Sequence, residues 1–147
     1  MIRTEIYTLV AERLREALGE EIKYIDLWNH NVEFIEEEQP WERPAVFIEF
    51  GEIFWKRLGG LDTMRGEGTL KLHLVTDWYG SAAYDDDKPI SEHLSAFSLS
   101  ERIYDALKEL RGERFHGFDL MSTLTNHNHE ELLENIDVFK FVAEKNA

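Results

Sequence analysis

Residues 68–78, GTLKLHLVTDW, alternate with a period of two. Leu70, Leu72, Leu74 and Thr76 fall on one side of an extended chain; Thr69, Lys71, His73, Val75 and Asp77 fall on the other. Alternation of this kind marks a strand with one face in a core and one nearer water. A central strand of one antiparallel sheet is therefore the expectation around which the other segments are placed. His73 lies on the less apolar side and reads as a surface or interface residue.

The segments before this strand supply a helix and further strands. Ile2, Ile6, Leu9, Val10, Leu14 and Leu18 recur every three or four residues, one face of an amphipathic helix that Gly19 ends. Residues 22–28 read as a first strand. Val32, Phe34 and Ile35 read as a short second one, after a turn at 29–31. The run EEEQPWERP at 36–44 reads as a loop, with Trp41 as a plug over the core in preference to an exposed contact. Residues 45–50, led by Pro44, form another strand. Residues 51–66 then read as a strand continuation into a long, mobile hairpin loop, before the return along 68–78.

After a polar connection at 79–89, Leu94, Phe97, Ile103, Tyr104, Leu107 and Leu110 give a second helix. Ser91 is its candidate cap, Ser98–Ser100 a point of possible breakage, and Gly112 its end. Phe118, Leu120, Ser122 and Leu124, then Ile136, Val138, Lys140 and Val142, alternate as two strands of a final hairpin. The expected fold is α+β. An antiparallel sheet of four to six strands packs against two α-helices in the order α-β-β-β-β-α-β-β, as a single domain over 1–147.

Composition narrows the function classes. With 16 Lys and Arg against 30 Asp and Glu, the formal net charge is −14, which opposes binding to nucleic acid or anionic lipid over most of the surface. The basic clusters Arg13/Arg15, Lys56/Arg57 and Lys108/Arg111/Arg114 are diluted by carboxylates. No cysteine is present, so disulfides and Cys-based zinc sites are excluded. No apolar run reaches the roughly 18 residues that span a bilayer, and the N-terminal residues carry charges that a secretory signal would lack.

Few residue constellations carry chemistry. His127 and His129, in TNHNHEE, would project to one side of a strand, as two metal ligands do with Glu130 or Glu131 nearby. The same letters describe a polar hairpin tip. Asp85, Asp86 and Asp87 lack the spacing of a calcium loop, and Glu36, Glu37 and Glu38 read as a solvated run. Glu21-Ile22-Lys23 has the letters of a nuclease E-x-K without a preceding strand to supply the aspartate. No nucleophile elbow, phosphate loop or dinucleotide fingerprint occurs. Trp28, Trp41, Trp55, Trp78, Tyr79 and Tyr84 lie at strand ends or loops, as suits a subunit interface or a small-molecule cleft. No catalytic, cofactor-binding or metal residue is assigned, and no cofactor is expected. A small metal- or ligand-binding enzyme built on the His127/His129 loop or an aromatic cleft stands as the alternative to a structural role.

The order of segments resembles the tail terminator, or tail completion, proteins of long-tailed bacteriophages and prophages. The likeness runs through TEIYTLVAERLREAL, the Pro-led strand RPAVFIEF, a long hairpin closing on GEGTLKLHLVTDW, the helix LSERIYDALKEL, and the final strands FDLMSTLTNH and IDVFKFVAE. It implies a non-enzymatic assembly protein forming a homo-oligomeric ring, commonly hexameric, that caps the tail tube and joins it to the head. The implied partners are other copies, tail-tube proteins and head-completion proteins, with no sequence-specific nucleic acid and no membrane. The implied location is the host cytoplasm and then the virion tail. The 51–66 loop would be a contact arm.

Overall fold

A computed structural model of the chain describes residues 1–29, 41–60, 62–78, 94–127 and 131–146. Two helices and five strands follow in the order α1 (Ile2–Leu18), β1 (Tyr24–Leu27), β2 (Ala45–Arg57), β3 (Thr63–Asp77), α2 (Ser95–Leu107), β4 (Phe115–Asn126) and β5 (Leu132–Asn146). They form one α+β unit, with the helices packed on a sheet of strand order β1-β2-β3-β5-β4.

The helix α1 buries Ile2, Ile6, Val10, Leu14 and Leu18, a stripe at intervals of four. Gly19 ends it at a φ of +54°, a conformation that L side chains rarely adopt. These residues pack with Ile103 and Leu107 of α2 on Val46, Ile48, Leu70, Leu72, Leu74, Phe139 and Phe141 of the sheet. Each fully buried aliphatic or aromatic side chain here contributes about 1.5–3 kcal/mol. Arg13 Nε also donates to the Ala106 carbonyl at 3.0 Å, tying the two helices together.

The opposite sheet face has its own cluster. Trp41, Ala45, Phe47, Val75 and Leu132 are buried there, with Tyr24 and Trp28 packed against them. Trp41 is 5% exposed and stands edge-on to Phe47 at 4.9 Å. It is the plug its sequence context suggests.

The structure departs from the sequence expectations in four places. First, β1 runs parallel to β2, in register from Tyr24 opposite Ala45 to Leu27 opposite Ile48, so the sheet is mixed and not wholly antiparallel. The 17 residues between β1 and β2 are long enough for the crossover that a parallel pair requires. Second, 51–66 is not a long loop. The pairing of β2 with β3 continues through Lys56 opposite Arg65 and Arg57 opposite Met64, past an irregularity between Phe50 and Ile53, and Leu58 N–H donates to the Thr63 carbonyl at 3.0 Å. Third, α2 is unbroken at Ser98–Ser100, where Ser98 N–H continues the helical ladder to the Leu94 carbonyl at 3.4 Å. Fourth, β1 is shorter than residues 22–28. The expected strand at Val32, Phe34 and Ile35, the connection at 79–89 and the cap Ser91 lie outside the described residues.

Candidate assembly surfaces

The β2–β3 hairpin forms an arm in which rings pack against glycines. A Cβ on Gly66 would lie 2.7 Å from Cζ3 of Trp55, and one on Gly68 would lie 2.7 Å from Cζ of Phe141. Both rings lie directly on bare backbone. Lys145 Nζ stands 4.5 Å from the centroid of Trp55, a cation–π contact that ties β5 to the arm. On the other face of the arm, Phe54 is 67% exposed. Lys56, Arg57 and Arg65 are also exposed.

A second feature is a groove of about 590 Å³ between α2 and the β4–β5 end of the sheet. Phe97, Glu101 and Asp105 come from α2, Leu120 from β4, and Asn135 and Asp137 from β5. Phe97 and Leu120 are 44% and 39% exposed. On the floor, Thr123 donates to Asp137 Oδ1 at 2.7 Å and Thr125 donates to Asn135 Oδ1 at 2.8 Å. Burial raises the Asp137 carboxyl above its ordinary pKa, against the opposing effect of the Thr123 hydroxyl. Among the described residues, Asn135 Nδ2 is buried without a hydrogen-bond partner. An orphan donor of this kind costs about 1–3 kcal/mol.

A third feature corrects the surface reading of His73, which is 4% exposed. Its Nδ1 lies 2.9 Å from Glu134 Oε2 on β5, and its Nε2 lies 2.7 Å from Glu49 Oε1 on β2. The ring stacks on Trp28 at 3.9 Å. Trp28, Trp41 and Phe47 roof this face, which a strand pattern alone does not reveal. Each ring nitrogen has its own carboxylate on an opposite side, so the ring joins three strands and does not converge on a shared ion.

A larger hollow of about 750 Å³ lies beside the start of α2. Its arginines are already engaged, Arg43 with Asp77 and Arg102 with Glu21. Glu21 of the E-x-K letters sits in the 3-10 turn Gly19–Glu21 and lines this hollow with Lys23 and Asp77.

His127 is exposed just after β4, while His129 and Glu130 lie outside the described residues. So do His30, His93, Tyr79, Tyr84, the three glutamates at 36–38 and the three aspartates at 85–87. His116 is 3.3 Å from Glu144 on the surface. Among the described residues, no group of three or more His, Asp or Glu is arranged to hold a metal. The groove was missed in the sequence, although its signal is visible: Asn135 and Asp137 interrupt the face that Leu133, Phe139 and Phe141 make apolar.

Neither a protein-family model nor any curated protein matches the chain. Among solved structures, it superposes on a chain from the virion of a native gene transfer agent particle. The two share a fold. The TM-score is 0.56 at 13% identity, and the alignment covers 95% of this chain and 94% of the other.

Proposed function

We propose that the chain is a structural protein of a phage-type particle, acting as a tail terminator: a ring that caps the tail tube and joins it to the head. The observation that carries this reading is the whole-chain fold likeness to a gene transfer agent virion chain. It agrees with the resemblance of helix, hairpin and strand order to tail terminators. Two further features support assembly over catalysis. The sheet ends in the edge strands β1 and β4, and β4 exposes Leu120, Met121 and Leu124. Edge strands with free backbone groups are pairing surfaces, and exposed apolar side chains beside them add burial on contact.

The test is removal of the gene from a cell that makes the particles, followed by electron microscopy. Separate heads and unjoined tails, restored to whole particles when the chain is supplied again, are expected. Normal particles without the chain overturn the assignment.

A further inference from the structure

We infer that the β2–β3 hairpin tip of one copy seats in the α2–β4 groove of a second copy. The inference rests on the ring reading above and names the contact that would build it.

Charge is the first argument. Residues 53–66 contain Lys56, Arg57 and Arg65 against Asp62 alone, a net of +2 within a chain of −14. The groove presents Glu101, Asp105 and Asp137 among its lining residues, with Lys108, just past the end of α2, 3.3 Å from Asp105. Copies this acidic repel one another overall, so self-association needs a local surface of opposite sign, and the arm supplies it.

Shape and polarity are the second. Phe54, 67% exposed on the arm, is an aromatic anchor without a core of its own. The half-exposed Phe97 and Leu120 offer it apolar walls. Asn135 Nδ2, buried beneath them, still requires an acceptor, and a hairpin turn presents backbone carbonyls.

Distance is the third. The arm pairs with the end of β5 at Lys145, whereas the groove floor is at Asp137. Eight residues of strand separate them by about 27 Å. A tip held in a continuous ladder cannot fold back that far, so the groove of its own subunit is beyond reach. The contact joins two different surfaces of separate copies, and repeated head-to-tail it generates a ring when its rotation closes.

Charge-swapped variants test this by native mass spectrometry. One reverses the tip (Lys56→Glu, Arg57→Glu, Arg65→Glu), one reverses the groove (Glu101→Lys, Asp105→Lys), and a third carries both sets. All five positions are exposed, and unchanged circular dichroism verifies folding. The wild type is expected at a multiple of 17.3 kDa. Each one-sided variant should fall to the monomer mass. The doubly reversed chain, and an equimolar mixture of the two one-sided variants, should return to the wild-type multiple.

One-sided variants that keep the oligomer overturn this contact while leaving a ring intact. Failure of both combinations to reassemble overturns it as well. A wild type that stays at 17.3 kDa at every concentration also overturns it. The terminator role is judged separately by the particle assay.

Discussion

Trp28 lies flat on His73, with ring centroids 3.9 Å apart and planes within 1° of parallel. The stack covers an imidazole whose nitrogens reach Glu49 on one side and Glu134 on the other. Both contacts are donated hydrogen bonds only when both ring nitrogens carry protons. Glu134 is buried, and Asn126 Nδ2 also donates to it at 2.8 Å.

His73→Gln is therefore expected to destabilise the fold by about 1–3 kcal/mol, because it takes an aromatic ring from the Trp28 stack and a hydrogen-bonding partner from the buried Glu134. Glu134→Gln in the same chain should recover part of that loss, because a neutral amide costs less to bury than a carboxylate that has lost a partner. Urea unfolding of both variants checks this, and equal losses in the single and double variants would contradict it.

Asp137 gives a pH dependence of defined sign. Burial places its carboxyl pKa higher in the folded state than in the unfolded chain. The folded state therefore holds the proton more tightly. Stability falls as pH rises from the unfolded carboxyl value through the folded one, and the penalty is complete above the folded value. Asp137→Asn removes that penalty while keeping an acceptor for Thr123. The variant should unfold at higher urea than the parent at pH 7, and its advantage should vanish in acid below the unfolded carboxyl value.

The sequence showed the elements better than their directions or their roofs. The alternation of Leu70, Leu72 and Leu74 located β3, and the intervals of four from Ile2 to Leu18 located α1. Side-chain periodicity carries no information on strand direction, so the parallel pairing of Tyr24 with Ala45 was invisible. Sequence pattern does not separate a glycine that turns the chain from one that a ring covers. Gly60 does turn the chain, at a φ of +73°, but Gly66 and Gly68 are small because Trp55 and Phe141 lie on them. His73 was misread because Trp28 and Trp41, which help roof its face, come from segments distant in sequence. The groove went unread because its walls come from three separated elements.

That account of Gly66 is itself testable. Gly66→Ala must displace Trp55 or Ile53, whose atoms lie within 2.9 Å of the added carbon. A loss of about 1–3 kcal/mol is expected. Trp55→Leu, which clears the ring, should shrink the penalty when the two are combined. A double-mutant cycle by chemical denaturation measures the coupling, and strict additivity would argue against the ring-on-backbone contact.

The strand β3 is bonded along one flank to β2 from Met64 to Val75, and along the other to β5 from Thr63 to Asp77. Its amide hydrogens are thus the last that solvent deuterium can reach, released only when the entire domain opens. Neighbours recruited at β1 or β4 would leave that slowest-exchanging spine untouched. In the assembly proposed above, contacts at those sheet edges could tighten or loosen without taxing the element that keeps each copy folded.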